Sequence, residues 1–315
     1  MRFGTAAIDG RTTAVVIDGL TAHPVPGGHS VEEIVSEGLD RALALGERAV
    51  RVPGAPLDQI RLLAPYRPTS IRDFVAFEEH VEGVRSSVEG AEGVPDAWYD
   101  APTFYFANPH TVLGPGEEVA RPTGCRALDF ELEVGVVLGA GGSSLTEAQA
   151  ADAIFGYTLF NDFSARDLQA REMQVGLGPA KGKDFGSALG PWIVTADEVA
   201  DCVDADGFLS LRGTAEINGV QIGDDSLRHM GWPFPTLIAY ASRDSAVRAG
   251  DLLGSGTLGN GGCLAELWGR RGSQLPPPLE PGDTVTIAVG RLGSLTNTII
   301  EAAPAPALRP FRPRS

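Results

Sequence analysis

The chain has 315 residues, 43% of them hydrophobic and 21% charged, the composition of a globular protein long enough to bury a sizeable core. Its net charge of −16 repels phosphate backbones and anionic lipid, which argues against nucleic acid and membranes as partners. No apolar run is long enough to span a bilayer, residues 1–5 lack the apolar core of a signal peptide, and Cys125, Cys202 and Cys263 have no metal-type spacing; reduced thiols in a cytoplasmic protein are the simplest reading.

Forty glycines and 23 prolines favour many short strands over long helices. Residues 1–20 read as a β-hairpin, with strands 2–8 and 13–17 around the turn Asp9-Gly10-Arg11-Thr12. The box Ser30-Val31-Glu32-Glu33 opens a helix whose buried face carries Ile34, Leu39, Leu43 and Leu45. Residues 60–63 read as a further strand, so residues 1–65 form a small domain of their own. Ser70-Ile71-Arg72-Asp73 opens a second helix to about residue 86, which sets Asp73 and His80 on one face, two turns apart. Residues 88–101 read as a loop, and 103–107 as a short strand holding Phe104, Tyr105 and Phe106.

Residues 128–139 read as a buried strand with two carboxylates inside it, Glu131 and Glu133. Side chains two apart on a strand share a face. Two anions aimed at one spot either hold a cation between them or meet water on a wet face. Ser144-Leu145-Thr146-Glu147 caps a helix to about residue 152, and strand 155–160 delivers Asn161-Asp162. Ser164 caps a helix through Met173, and the glycine-rich stretch 176–190 carries Lys181 and Lys183. A strand at 191–194, a hairpin of 209–217 and 220–222 about Asn218-Gly219, a helix at 235–242, and strands 284–289 and 295–301 follow. The tail 303–315 is Pro- and Arg-rich, and there is no internal repeat. Few crossover helices separate the strands, which disfavours a doubly wound parallel sheet and fits a mixed, β-rich α+β architecture.

Four motifs carry a resemblance. Leu-Asp-Phe-Glu-Leu-Glu at 128–133, Asn-Asp-Phe-Ser-Ala-Arg-Asp-Leu-Gln at 161–169, Gly-Lys-Asp-Phe-Gly at 182–186 and Gly-Ser-Gly-Thr at 254–257 resemble the fumarylacetoacetate hydrolase family, over roughly residues 60–300. The resemblance implies a small SH3-like N-terminal β domain (1–65), a β-roll catalytic domain (66–302) and a homodimer. It puts Asp73, Glu131, Glu133 and Asp162 at the positions of the family's metal ligands. An all-carboxylate set suits a hard divalent cation, Mg²⁺ first, with Ca²⁺ or Mn²⁺ as alternatives. Asp162 also fits a helix N-cap, and Asp73 a carboxylate at a helix start.

By the same resemblance, His80 matches the general base and Glu266 the glutamate that orients it. Arg166, Gln169 and Lys183 match the oxyanion-stabilising group, and Tyr105 and Thr257 the substrate contacts. Arg166 could instead merely pair with Asp167 or Asp129, and Lys181 competes with Lys183. Two departures bear on the branch and the substrate. Shorter members carry His-x-x-Glu on one helix, whereas here that run is His80-Val81-Glu82-Gly83. A tyrosine two residues after the first aspartate is replaced by Val75, and Arg85 lies off register for a far-carboxylate arginine. The implied activity is metal-dependent hydrolysis of a carbon–carbon bond in a 1,3-diketone or oxo-acid substrate. Decarboxylation, hydration or isomerisation of a 2-oxo acid is the alternative within the family, and a cation-stabilised binding protein the alternative outside it.

Overall fold

The computed structural model describes residues 1–313. The first part of the chain supplies β1 (Arg2–Ile8), β2 (Arg11–Asp18), β3 (Thr21–Pro24), α1 (Val31–Ser36), α2 (Leu39–Ala49), β4 (Ala55–Pro56), β5 (Arg61–Leu62) and β6 (Ile71–Phe74). Next come α3 (Glu78–Val84), α4 (Asp96–Asp100), β7 (Phe104–Ala107), β8 (Val112–Leu113) and β9 (Glu118–Arg121). The middle holds β10 (Leu128–Asp129), β11 (Leu132–Leu138), α5 (Glu147–Asp152), β12 (Ile154–Asp162), β13 (Ser164–Ala165), α6 (Arg166–Met173) and β14 (Ser187–Thr195). The last part holds β15 (Arg212–Ile217), β16 (Val220–Ser226), α7 (Phe234–Ser242), β17 (Leu252–Gly254), α8 (Leu264–Arg271), β18 (Thr284–Val289) and β19 (Gly293–Glu301).

A 12-stranded sheet runs β4-β3-β2-β1-β14-β12-β11-β17-β6-β7, with β5 on β1 and β8 on β14. A five-stranded sheet runs β16-β15-β18-β19-β9, and β10 pairs with β13. The pairs β6–β17, β8–β14 and β9–β19 are parallel, and the others antiparallel. The architecture is therefore mixed and strand-rich, as the sequence suggests. The central strands β11 and β12 are buried along their whole length, so alternate residues feed two cores. Val134, Val136 and Leu159 enter the larger one, while Val137 and Phe160 enter the other, beside Phe3, Val16, Ile34 and Leu45. Each such burial contributes about 1.5–3 kcal/mol.

The N-terminal hairpin belongs to this sheet. Phe3 of β1 stands opposite Ile193 of β14, so a division of the chain at residue 65 falls inside a continuous sheet and a shared core. The helix expected after residue 30 is two helices, broken at Gly38 with its φ of 86°.

Four differences bear on the site. The helix expected from residue 70 is instead a strand at Ile71–Phe74, followed by a helix only from Glu78. All four strand residues are buried between β17 and β7, so they show no alternation, and sheet pairing overrides the helix-start signal at Ser70. Asp73 and His80 therefore lie on different elements rather than on one helical face. The strand expected at 128–139 is interrupted at residues 130–131, so Glu131 lies between β10 and β11 while Glu133 lies on β11. Ser164 does not cap α6; its hydroxyl donates to the Asp162 carbonyl, and Ala165 holds the N-cap position without a side-chain bond. The loop at 88–101 contains α4.

Candidate active site

The site forms where β7, β6, β17, β11 and β12 run side by side. Tyr105 stands opposite Asp73, Asp73 opposite Gly254, and Gly254 opposite Gly135. Glu133 faces Phe160 one strand further on, and β12 ends at Asp162. Gly254 sits at the centre of this row. A Cβ there would lie 2.9 Å from Glu133 Oε2 and 2.8 Å from Phe160 Cε1, so only glycine leaves the two carboxylates of Asp73 and Glu133 room to converge.

Oxygens of Asp73, Glu131 and Glu133 lie within 4.8 Å of one another, all buried. Tyr105 Oη donates to Asp73 Oδ2 at 2.8 Å and also to Asp162 Oδ2. Lys183 Nζ donates to Asp162 Oδ2 at 2.8 Å and to Glu131 Oε2. Arg166 Nη2 donates to Glu131 Oε1 at 2.7 Å and its Nη1 to Gln169 Oε1 at 3.0 Å. Glu133 accepts from Gly256 N at 3.1 Å and Thr257 Oγ1 at 3.3 Å. The charges are therefore unequal across the site. Burial works to raise the Glu131 carboxyl, but Lys183 and Arg166 more than offset it and hold it at about 2. Among the described residues no cation pairs with Asp73: burial and then the Asp162 charge push it up to about 8. Burial, with Asp73 beside it, pushes Glu133 well up too.

This set fits a hard divalent cation. Asp73 Oδ1 is buried and receives no hydrogen bond, and Asp73 and Glu133 are held close enough to share a proton that a cation can replace. Asp162 stands apart from the three-carboxylate set. Its oxygens are taken by Lys183, Tyr105 and, at 3.3 Å, Ser187 Oγ.

His80 reaches the site from α3. Its Nε2 lies 3.9 Å from Glu131 Oε1 and its Nδ1 3.6 Å from Cys263 Sγ. Burial drives its pKa down to about 3, so the ring is neutral and carries a lone pair at physiological pH. The partner expected for it, Glu266, does not touch it: among the described residues no hydrogen bond joins the two. The Glu266 carboxylate accepts from Gly261 N at 3.4 Å and pairs with Arg270 at 3.0 Å. Glu266 instead packs against the His80 helix at Gly83, where a Cβ would lie 2.6 Å from its Cγ. The glycine that replaces the helix glutamate is thus the notch through which α8 approaches α3.

Two further residues complete the frame: Asp129, which the sequence offers only as a partner for Arg166, and Cys263, to which it gives no role in the site. Asp129 takes four donors: Phe130 N at 2.8 Å, Leu264 N at 2.7 Å, Ala265 N at 3.0 Å and Arg166 Nε at 2.8 Å. It ties the start of α8 to the arginine of α6. Cys263 holds the N-cap position of α8, where its sulfur accepts from Glu266 N at 3.4 Å, and it supplies the neighbour of His80. The signal for Asp129 was its spacing, since 129, 131 and 133 follow the same two-residue period.

A cavity of about 830 Å³ opens over the site. Asp73, Glu131, Glu133, His80, Arg166, Gln169, Lys183, Tyr105 and Thr257 all line it, whereas Asp162 and Glu266 do not. The competing lysine, Lys181, is exposed and pairs with Asp184.

The fumarylacetoacetate (FAA) hydrolase C-terminal family model matches residues 69–300. The chain belongs to the fumarylacetoacetate hydrolase family. It is similar to fumarylacetoacetase of Dictyostelium discoideum, 29% identical over 246 residues, and spans 64% of this chain and 57% of that relative. It is equally similar to oxaloacetate tautomerase YisK of Bacillus subtilis, 28% identical over 244 residues that cover 77% of this chain and 74% of the relative. In fold it resembles maleylpyruvate hydrolase of Sphingobium sp. SYK-6, solved with manganese(II) and pyruvate, at a TM-score of 0.72 and 20% identity, covering 96% of this chain and 100% of that one. Among the described residues no helix is long and apolar enough to cross a membrane.

Proposed function

We propose that this family member is a divalent-metal-dependent hydrolase that cleaves a carbon–carbon bond in a 1,3-dicarbonyl compound. The observation that carries the reading is the juxtaposition of Asp73, Glu131 and Glu133, with an unbonded carboxylate oxygen, and a neutral His80 in one cavity. Asp73, Glu131 and Glu133 would hold the cation, with Asp162 orienting Lys183 beside them. Mg²⁺ is the ion we assign, with Mn²⁺ as its nearest substitute. When bound, the cation supplies Lewis-acid stabilisation of charge that develops on the two diketone oxygens.

His80 accepts a proton from water through its free ring nitrogen, and the hydroxide adds to one carbonyl carbon. Lys183, Arg166 and the Gln169 amide supply donors for the oxyanion. The carbon–carbon bond then breaks, its electron pair leaving as an enolate on the second carbonyl. The imidazolium returns its proton to the enolate carbon, so one water is consumed and two products leave. Cys263 fixes the ring through Nδ1, the role that the resemblance gave to Glu266. Tyr105 and Thr257 shape the head of the pocket. Every residue assigned a role lies after residue 65, so we retain 66–302 as the catalytic unit and 1–65 as an accessory one, in a cytoplasmic homodimer.

The unclosed His80–Glu266 pair favours a second reading, keto–enol tautomerisation or isomerisation of an oxo acid, which needs a base but no activated water. Loss of enol absorbance from acetopyruvate, after EDTA and again with Mg²⁺ or Mn²⁺, tests the first reading. Metal-restored loss with two products recovered, abolished in His80→Ala, is expected. Enol loss without new acids supports the second reading, and near-normal cleavage by His80→Ala overturns the role of His80.

A further inference from the structure

The cavity has two chemically distinct ends. All the carboxylates and donors already described stand at one end. The other is walled mainly by Val81 and Val84 of α3, Pro95, Trp98, Met173 and Leu177, with Arg85 among them. We propose, resting on the cleavage reading above, that the natural substrate carries an apolar acyl tail, alkyl or aryl, where a fumarylacetoacetate-like molecule would carry a second carboxylate.

Three observations carry this. Two polar groups of the far end already have partners: the Trp98 indole N–H donates to Val75 O at 2.7 Å, and Arg85 Nη1 donates to Gly93 O at 2.5 Å and Glu92 O at 3.3 Å. Arg85 thereby ties down the segment that presents Pro95 to the cavity, and Arg166 and Lys183 are bonded to carboxylates at the other end. Second, large apolar side chains stand in water at the mouth: Leu177 is 85% exposed and Phe106 67%, and both line the cavity. Burial under a tail removes that surface from water. Third, the cavity volume of about 830 Å³ is that of a site for a whole drug-sized ligand, far larger than a diketone head needs. Val75, where the substrate-binding tyrosine was expected, adds another apolar wall.

The surrounding field has the same sense. Glu78, Glu79, Glu82, Glu92 and Asp96 are among the charged groups that the sequence places on and around α3 and the 90–96 segment, with Arg85 the cation there, and the chain as a whole carries −16. A tail carboxylate entering there meets repulsion, while an alkyl tail gains about fourfold in kcat/KM for each methylene fully buried.

The test compares acetopyruvate, hexanoylpyruvate, benzoylpyruvate and fumarylacetoacetate with the full-length Mn²⁺-loaded protein. Turnover is followed by enol absorbance, and binding separately by calorimetry. A kcat/KM for the hexanoyl and benzoyl compounds about tenfold or more above the acetyl and fumaryl ones is expected. Leu177→Lys, on an exposed rim position, should reverse the order between benzoylpyruvate and fumarylacetoacetate. Preference for fumarylacetoacetate in the parent, lost in Arg85→Met, would overturn the proposal by making Arg85 a carboxylate anchor. Equal kcat/KM for all four would overturn it as well. If nothing is cleaved, calorimetry still ranks the tails: tighter binding of the apolar ones upholds this proposal while the cleavage reading falls.

Discussion

Gly254→Ala is the substitution that most sharply tests how the carboxylates are arranged. The backbone of Gly254 lies within a strand and has no positive φ, so alanine suits it conformationally and the effect is one of space alone. Its Cβ would sit 2.8 Å from Phe160 Cε1 and 2.9 Å from Glu133 Oε2, against roughly 3.5–4.0 Å for unstrained carbon contacts. Asp73, whose Oδ1 would stand nearest of all to the new Cβ, Phe160 and Glu133 are all buried and must retreat. Overpacking of that order costs about 1–3 kcal/mol, which lowers the melting temperature of the EDTA-treated protein by several degrees. The cation should suffer more, because a site of this kind tolerates displacements of only about 0.2 Å. An affinity loss of about tenfold removes about 1.4 kcal/mol from the stabilisation given by a fixed, saturating Mn²⁺ concentration. Thermal melts with and without Mn²⁺, for parent and variant, separate the two effects. An unchanged Mn²⁺ shift in Gly254→Ala would refute the placement of the cation between Asp73 and Glu133.

Further outcomes follow from the same geometry. Asp73 titrates at about 8 and Glu266 at about 7, both raised above ordinary carboxyls first of all by burial, so the metal-free fold binds protons there that the unfolded chain has released. Such groups stabilise below the unfolded value and lose that contribution as pH rises through the folded one; His80, lowered to about 3 by burial, contributes fully above pH about 6.5 and is silent in this window. The EDTA-treated protein should therefore melt lower as pH rises from 6.5 to 8.5 (the window these values set), while Mn²⁺ restores most at the upper end; a flat or rising metal-free melt would contradict this. Lys183→Met leaves Glu131 and Asp162 buried without their shared cation, and a loss of about 3–5 kcal/mol in metal-free chemical denaturation is expected. Glu266→Gln should change kcat by no more than about threefold, because the carboxylate bonds Gly261 and Arg270 rather than His80, whereas Cys263→Ala should lower kcat about tenfold at unchanged KM. A hundredfold loss in Glu266→Gln would show that the carboxylate swings to His80 in the reacting complex.

Much of the site was legible because it is written locally. Glu131 and Glu133 stand two apart in an apolar run, and Asp162 ends a strand that lies beside theirs in space. What was hidden depends on the sheet. Ile71–Phe74 is a strand buried on both faces, which lacks the alternation that would separate it from a helix, so Asp73 was given the wrong element even though it reaches the site. The interruption before Leu132 was likewise invisible, yet it lets Glu131 turn toward Lys183 and Arg166. The neighbour of His80 was unreadable for a different reason. Cys263 caps α8 and Glu266 lies in its first turn, and only the docking of α8 onto Gly83 decides which of them faces the imidazole.

The most direct measurement is cleavage in oxygen-18 water. The EDTA-treated protein is mixed with acetopyruvate, then supplied with Mg²⁺ or Mn²⁺, and the products are weighed by mass spectrometry. We expect no reaction before the metal and, after it, two products, with a single labelled oxygen in the carboxylic acid formed at the attacked carbonyl. Recovery of uncleaved substrate with its enol signal lost, and no labelled acid, would contradict hydrolysis and identify a tautomerase.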